Sequence, residues 1–434
     1  MGKFFIRNFG CRATQADGAS ISAALERIGF EAAGDCAGAE LVILNTCTVT
    51  AKADEDVRQA VRRVHRENPA ARILVTGCYA QRAPEELAAM PEVTWVIGNS
   101  HKARIPEILS DGDQPAPGRG QIFVSDILDE QEFSLVPVED ASGDRTRPNL
   151  KIQDGCGNRC SFCVIPSVRG RNRSAPPDAI VAQVRQLSER YREVVLSGVN
   201  LGRWGRDRGI GMRVADLLRR LLDETAVERL RLSSIEPMDL TGNLLELMAS
   251  SPRIAKHVHA PLQSGSDSVL RRMCRPYRSR HYEDRIRMVR SLMPDASIGA
   301  DVMVGFPGET DAEFEENRAF IEALPITYLH VFSYSARPGT PAAAMPDQVP
   351  ITVRKNRSRI LRELAAAKNL EFRKGMLGAS LSAVTLARKS IALSSNYLKV
   401  ELASPREPNQ LIDVTIGGVT RTGLKEFSPL AVLA

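Results

Sequence analysis

The sequence contains no apolar run that approaches the roughly eighteen residues of a membrane span. It also lacks internal repeats and low-complexity tracts. Met1–Ile6 is followed at once by Arg7 and Asn8, so we expect no signal peptide. These absences exclude membrane-spanning and repeat architectures and predict a cytoplasmic protein with no membrane partner. The 43% apolar and 25% charged content is that of a globular chain, and 434 residues favour two or three domains.

Cysteine is scarce, and its placement indicates metal chemistry. The eight cysteines are at positions 11, 36, 47, 78, 156, 160, 163 and 274. In a reducing compartment they are poor candidates for a disulfide framework, which favours metal binding or catalysis. Cys36 and Cys274 fit neither group described below, and we assign them no role.

The first hundred residues alternate short apolar runs with amphipathic stretches, which predicts a doubly wound α/β domain over residues 1–112. The predicted strands are Lys3–Gly10, Leu41–Thr46, Arg72–Gly77 and Thr94–Gly98. The predicted helices are Gln15–Ile28, Lys52–Arg66 and Pro84–Met90. Residues 113–147 are rich in Gly, Pro and Asp and are predicted to form a linker with one short strand.

Strand–helix alternation resumes over residues 148–350. Six units predict an open, partial (β/α)6 barrel, because a closed barrel needs eight. The predicted strands are Leu150–Asp154, Glu193–Leu196, Arg229–Ser233, His257–Pro261, Ser297–Val304 and Tyr328–Ser333. The predicted helices include Pro177–Tyr191, Val214–Leu222, Tyr282–Met293 and Asp311–Leu324.

The last fifth of the chain differs in charge and in pattern. A basic helix is predicted from Val353 within residues 351–374, and a small β-barrel over residues 375–434. The strands predicted there are Leu381–Leu386, Tyr397–Glu401, Leu411–Ile416 and Val419–Leu424. From Ile351 onward there are 14 Lys or Arg against 6 Asp or Glu. This excess suits a polyanionic partner such as RNA, and a solvated basic face is the alternative.

The strongest motif is Cys156-Gly-Asn-Arg-Cys160-Ser-Phe-Cys163, directly after a predicted strand. Three thiolates on one tight loop can hold three irons of a four-iron cluster and leave the fourth iron open. The alternative is structural zinc, which requires four ligands, and no fourth Cys or His stands nearby in sequence.

A second cysteine set comes from strand ends. Cys11, Cys47 and Cys78 each end a predicted parallel strand, and such ends meet at one edge of a doubly wound sheet. The geometry predicts a second cluster site there. The alternative is three unrelated buried thiols.

Residues 151–174, KIQDGCGNRCSFCVIPSVRGRNRS, resemble the cluster loop of radical S-adenosylmethionine methylthiotransferases. The resemblance spans nearly the whole chain and implies a radical-SAM barrel, a C-terminal TRAM-like RNA-binding barrel, two [4Fe-4S] clusters and S-adenosyl-L-methionine. Cys156, Cys160 and Cys163 would hold the catalytic cluster, and Cys11, Cys47 and Cys78 the auxiliary one. S-adenosylmethionine would be contacted at or near seven positions on the cluster loop and strand ends: Phe162, Gly198, Asn200, Glu236, Gln263, Val304 and Phe306.

By the same resemblance, one S-adenosylmethionine supplies a methyl group to a sulfur at the auxiliary cluster, and another yields the radical that takes hydrogen from the substrate. The partners implied are the anticodon stem–loop of tRNA, a reductase or flavodoxin-type electron donor, and a sulfur donor. Eight residues are candidates for RNA contact: Arg169, Arg171, Arg173, Arg337, Arg388, Lys389, Tyr397 and Lys399. Arg337 could equally form a hinge salt bridge, and His259 and His330 receive no role.

The family has three branches. The cluster loop looks most like the one that methylthiolates C2 of N6-threonylcarbamoyladenosine 37 in tRNA, although Cys11-Arg-Ala-Thr-Gln15 departs from the usual pattern. The alternatives are N6-isopentenyladenosine 37 and an aspartate of a ribosomal protein. The alternative that is not an enzyme is a zinc-stabilised RNA-binding protein.

Overall fold

Six parallel strands form the N-terminal sheet in the computed structural model, which describes residues 2–110, 118–131, 133 and 146–428. In chain order they are β1 (Lys3–Asn8), β2 (Glu31–Ala32), β3 (Leu41–Thr46), β4 (Arg72–Gly77), β5 (Trp95–Ile97) and β6 (Gln121–Phe123). Their order in space is β2-β1-β3-β4-β5-β6. The direction of winding therefore reverses between β1 and β3, which is the ligand-binding switch point of such sheets.

Helices cover both faces of this sheet, as the alternation predicts. They are α1 (Arg12–Arg27), α2 (Ala51–Glu67), α3 (Cys78–Arg82), α4 (Pro84–Ala88) and α5 (Ile105–Ser110). Apolar side chains of α1 and α5 pack on one face, and those of α2 and α4 on the other. Strand β6 lies inside the predicted linker but pairs with β5, so the sheet extends past residue 112. Residues 113–117, 132 and 134–145 of that linker lie outside the described residues.

The central region contains the six predicted parallel strands and one short antiparallel addition. In chain order they are β7 (Asn149–Asp154), β8 (Arg173–Ser174), β9 (Glu193–Gly198), β10 (Arg229–Leu232), β11 (His257–His259), β12 (Ser297–Val304) and β13 (Tyr328–Ser333). They form two hydrogen-bonded sheets, β10-β9-β7-β8 and β11-β12-β13. The Ile235 amide donates to the His259 carbonyl at 2.9 Å and helps join the two sheets into one partial barrel.

Helices alternate with these strands and bury one continuous apolar core. They are α6 (Ile165–Arg169), α7 (Pro177–Arg190), α8 (Val214–Glu224), α9 (Gly242–Ser250), α10 (Asp267–Arg272), α11 (Ser279–Leu292) and α12 (Asp311–Ala323). The basic helix α13 (Ile351–Lys374) begins two residues before the predicted Val353. None of the described helices is long and apolar enough to cross a membrane.

A closed five-stranded barrel follows α13, in the order β14-β15-β16-β18-β17. Its strands are β14 (Ser380–Thr385), β15 (Ile391–Ser394), β16 (Lys399–Glu401), β17 (Leu411–Val419) and β18 (Leu424–Glu426). Two predictions fail here. Strand β15 was not predicted, and the predicted strand Val419–Leu424 is interrupted by a turn at residues 420–423, so that only its two end residues lie in β17 and β18. Gly423 sits in that turn because a Cβ there would lie 2.4 Å from the Lys399 carbonyl oxygen.

The C-terminal barrel docks near the amino ends of the central strands. Arg231 donates to the carbonyl oxygens of Ser394 and Ser395 at 3.0 Å. The Tyr397 ring stacks on His257 with centroids 4.3 Å apart, and its hydroxyl accepts a 3.0 Å hydrogen bond from Arg12 of the N-terminal domain. Residues from all three regions therefore meet at Tyr397.

Candidate active site

The three N-terminal cysteines lie together at the carboxyl edge of their sheet. Cys11 follows β1, Cys47 follows β3 and Cys78 follows β4, so two of them flank the switch point. The turns are tight: a Cβ on Gly10 (φ +104°) would lie 2.5 Å from the Cys47 Cβ, and one on Gly77 (φ +99°) 2.5 Å from the Thr46 carbonyl oxygen. Glycine before Cys11 and before Cys78 is therefore required for the cysteines to approach one another.

Burial and proximity shape the chemistry of this triad. Cys47 and Cys78 are buried and Cys11 is exposed. Burial, followed by the neighbouring Cys78 and Cys11 thiols, raises the pKa of Cys47 to about 12. A bound metal requires the thiolate, so the site releases protons when it is loaded.

Two side chains donate hydrogen bonds to the Cys78 sulfur. Arg169 Nε lies 3.3 Å and Asn99 Nδ2 3.7 Å from Sγ. A guanidinium can only donate, so the sulfur is the acceptor, the role of a metal-bound thiolate. This contact distinguishes Cys78 from an inert core thiol.

Arg169 belongs to a buried ion network that joins the N-terminal domain to the central barrel. Its side chain is 2% exposed and pairs with Asp154 at 3.0 Å and with Asp17 at 2.9 Å. Lys102 and Lys151 also pair with Asp17. The network holds three cations against two carboxylates, and a thiolate at Cys78 would balance the remaining positive charge.

The catalytic loop runs from the end of β7 into α6. Cys156, Cys160 and Cys163 are all half-buried on it, and the Cys156 amide donates to the Gly170 carbonyl at 3.0 Å. Burial raises the pKa of Cys160, and it raises that of Cys163 to about 12. These thiols, like that of Cys47, stay protonated until a metal binds and displaces the protons.

The catalytic triad has its own arginine and asparagine donors. Arg275 Nη1 lies 3.1 Å from the Cys160 sulfur, and Asn200 Nδ2 lies 3.5 Å from the Cys156 sulfur. Arg275 also pairs with Glu236. Hydrogen bonds to cluster sulfurs tune the reduction potential. Each cysteine triad is thus provided with one arginine and one asparagine donor.

A cavity of about 330 Å³ lies at the three cysteines of the loop. Cys156, Cys160 and Cys163 line it together with Val49 and Thr50, which follow Cys47 closely in the chain. On the far side, Cys78 packs against Val164 and Val168, just after Cys163. The loop triad therefore lines the cavity, and the N-terminal triad, none of whose cysteines lines it, borders its wall where Cys78 packs against the lining residue Val164.

The donor set fits iron–sulfur clusters better than single ions. In a tetrahedral zinc site, sulfurs bound at 2.3 Å lie about 3.8 Å apart. Among the described residues, one set of His, Cys, Asp or Glu side chains has three ligand atoms within 4.8 Å of one another: His259, Asp301 and His330. The sulfurs of neither cysteine triad therefore lie as close together as a zinc site requires. This observation disfavours the zinc-stabilised alternative.

Unpaired polar atoms mark the place for a polar cofactor. Ser197 Oγ, Asn200 Oδ1 and Ser233 Oγ are buried near the carboxyl ends of β9 and β10 without a hydrogen-bond partner among the described residues, and none of the three lines the cavity. Buried polar atoms in native proteins normally have one. A ligand rich in donors and acceptors, such as S-adenosylmethionine, would supply it.

Three of the predicted S-adenosylmethionine contacts, Phe162, Glu236 and Gln263, line the cavity. The other four do not. Asn200 points at Cys156, and Val304 and Phe306 are fully buried behind the wall, where Phe306 packs edge-on against Phe162. Beside Gly198 the Gln153 side chain fills the space, 2.8 Å from where a Cβ would be.

The structure divides the predicted RNA contacts into two groups. Arg171, Arg388, Lys389 and Lys399 are exposed, Lys389 being paired with Glu407, and Arg173 is half-buried. Arg169 and Arg337 are buried in ion pairs and were wrong: Arg337 binds Asp54, which makes it the interdomain salt bridge that was the alternative. Tyr397 is half-buried, with its ring stacked on His257.

Sequence reasoning missed Arg275 and Asp301. Arg275 stands far from the cluster loop in the chain, with no motif around it, and reaches Cys160 only through the fold. Asp301 lies within a strand-end motif, but nothing local shows that its side chain lines the cavity.

Family comparisons agree with this geometry. Residues 3–98 match the model described as "Uncharacterized protein family UPF0004", and residues 150–321 match that of the radical SAM superfamily. The chain is similar to two threonylcarbamoyladenosine tRNA methylthiotransferases named MtaB. Identity is 36% to that of Aquifex aeolicus, over 95% of this chain and 100% of the relative, and 39% to that of Bacillus subtilis, over 82% and 79%.

A relative with another substrate is nearly as similar. Identity is 34% to the tRNA-2-methylthio-N(6)-dimethylallyladenosine synthase of Pelotomaculum thermopropionicum, over 86% of this chain and 84% of the relative. Among solved structures, the radical S-adenosylmethionine methyltransferase TsrM of Kitasatospora setae shares the fold with a TM-score of 0.57 and 16% identity, covering 79% of this chain and 76% of its own. The chain belongs to the methylthiotransferase family of radical S-adenosylmethionine enzymes.

Proposed function

We propose that this enzyme transfers a methylthio group to C2 of N6-threonylcarbamoyladenosine at position 37 of tRNA. The observation that carries the proposal is the cavity that Cys156, Cys160 and Cys163 line, with Cys78 of the N-terminal triad packed against the lining residue Val164. A reaction that takes hydrogen from carbon and then adds sulfur needs both groups within reach of one substrate atom.

When bound, a cluster at Cys156, Cys160 and Cys163 would supply the electron that cleaves S-adenosylmethionine, and one at Cys11, Cys47 and Cys78 would supply the sulfur. The protein's own residues prepare that space. Apolar side chains such as Phe162 and Met303 line the cavity and exclude water, which protects a reactive intermediate. Arg275 neutralises Glu236 beside Cys160 and donates to its sulfur.

The exposed cations provide the surface for the nucleic acid. Arg171 lies beside the catalytic loop, and Arg388, Lys389 and Lys399 lie on the C-terminal barrel. Such groups bind phosphate without reading sequence, which suits a stem–loop whose target base is recognised in the cavity. An electron donor and a sulfur donor complete the turnover, and the cytoplasm is where these partners and tRNA meet.

The test uses reconstituted full-length enzyme, S-adenosylmethionine, a reductant and two anticodon stem–loops that differ only in the base modification. One carries N6-threonylcarbamoyladenosine and the other N6-isopentenyladenosine. We expect mass spectrometry of the nucleosides to find the 2-methylthio product on the first RNA and none with Cys163→Ala. A product on the isopentenyl RNA alone would show that the enzyme belongs to the branch that modifies N6-isopentenyladenosine.

A further inference from the structure

An aspartate that lines the cavity and two histidines that hydrogen-bond to it form a polar group that the cluster chemistry does not use. Asp301 on β12 lies directly opposite His330 on β13 in the strand register and lines the cavity. Its Oδ1 lies 3.1 Å from His330 Nδ1 and 3.0 Å from His259 Nε2. Burial opposes ionisation of Asp301, but the hydrogen bonds from His259 and His330 hold its pKa well below its usual range.

The direction of these hydrogen bonds follows from the carboxylate. An ionised carboxylate only accepts, so His259 Nε2 and His330 Nδ1 must both carry hydrogen. His259 Nδ1 then accepts from the Tyr328 hydroxyl at 2.9 Å, and that hydroxyl accepts from His257 Nε2 at 2.8 Å. The arrangement leaves His257 Nδ1 as a lone pair, which agrees with its being buried without a partner.

Two polar atoms of this group remain available to a ligand. Among the described residues, no partner contacts Asp301 Oδ2 or His330 Nε2. The His330 side chain is 55% exposed, and the neighbouring Phe332, 46% exposed, lines the cavity and packs edge-on against it. Asp301 therefore lies in the cavity wall, and the exposed His330 ring contacts two residues of that wall, Asp301 and Phe332.

We propose that His330, oriented by Asp301, binds the polar substituent on N6 of the substrate adenosine and so selects the carboxylate-bearing and hydroxyl-bearing modification over an aliphatic one. This inference rests on the proposed function. His330 Nε2 and Asp301 Oδ2 can accept a hydrogen bond from the hydroxyl of a threonylcarbamoyl group, whereas an isopentenyl group has no polar atom that could donate one. A site that hydrogen-bonds a substituent discriminates strongly against analogues that lack it.

The experiment measures the ratio of product formed on the threonylcarbamoyl stem–loop to that formed on the isopentenyl stem–loop, for holoenzyme and variants. His330→Phe keeps a ring of similar size and removes both nitrogens, and Asp301→Asn keeps the shape and removes the charge. We expect each substitution to lower the ratio by about 10- to 100-fold, the value of a hydrogen bond to a charged group. The double variant should be no worse than the single ones, because the two residues act as one unit.

Iron bound per chain after reconstitution should equal that of the wild type in each variant, which separates recognition from loss of the clusters. Asp178→Asn, on the surface at α7, is the matched control. A wild-type ratio in His330→Phe, with the wild type active on the threonylcarbamoyl RNA, would overturn this inference and leave the proposed function intact. A wild type that acts on the isopentenyl RNA alone would overturn both.

Discussion

Replacing Arg169 tests whether the buried ion network joins the two cluster-bearing regions. Arg169→Met keeps a side chain of comparable length and removes the charge and every donor. It would leave Asp154 with Lys151 alone and Asp17 with Lys102 and Lys151. It would also remove the Nε hydrogen bond to the Cys78 sulfur.

Breaking a buried ion pair by removing one partner costs about 3–5 kcal/mol. The Arg169 side chain is 2% exposed and contacts two carboxylates, so solvent does not compensate. Because two lysines remain, we expect the lower end, about 3 kcal/mol. The loss should appear as a lower denaturant midpoint in urea, followed by fluorescence or circular dichroism on the apo chain.

Arg359→Met provides the matched control. Arg359 pairs with Glu363 on the surface of α13, with both side chains more than half exposed, and we expect no change in the midpoint. An Arg169→Met midpoint equal to that of the control would refute the network as a structural joint. Iron bound per chain on reconstitution gives a second readout, and it should fall with Arg169→Met and not with Arg359→Met.

Three other predictions follow from the site and its surroundings. Cys47→Ala should keep the cleavage of S-adenosylmethionine and lose methylthio transfer, whereas Cys160→Ala should lose both; a Cys47→Ala enzyme that still forms product would remove the auxiliary site from the reaction. Replacing Arg171, Arg388 and Lys399 together with Ala should weaken tRNA binding. The slope of log binding constant against log salt concentration should become shallower by about 2, since each phosphate contact contributes 0.7–0.9, and an unchanged slope would exclude these residues from the interface. Burial raises the pKa of Glu193, but Arg231, Arg147 and Arg229 outweigh it and lower the pKa to about 2, so stability present above pH 4.5 should be lost as the pH falls toward 2. Glu193→Gln should flatten that part of the stability profile, and an equally steep profile would contradict the assignment.

The sequence was sufficient for the elements whose signal is local. The central strand Ser297–Val304 was predicted with its observed limits, since a long buried strand bounded by turn residues has few alternatives. The convergence of Cys11, Cys47 and Cys78 was predicted from the rule that parallel strand ends share an edge. Both rest on patterns that a few adjacent residues carry.

Long-range contacts were beyond such reasoning. Arginine and tyrosine are typical of RNA-binding surfaces, which is why Arg169, Arg337 and Tyr397 were predicted to contact RNA. In the structure each of them contacts a partner from another domain. The strand at Ile391–Ser394 spans only four residues and depends on closure of the barrel. In each case the partner that determines the structure is distant in sequence, so local composition and periodicity cannot predict the contact.

Iron and acid-labile sulfide per chain, measured after anaerobic reconstitution, test most directly the claim that the two cysteine triads hold two separate clusters. The wild type should contain about eight irons with matching sulfide, and each triple alanine variant, at Cys11, Cys47 and Cys78 or at Cys156, Cys160 and Cys163, about four. Zinc without sulfide, or complete loss of iron from either variant, would contradict the account of two independent sites.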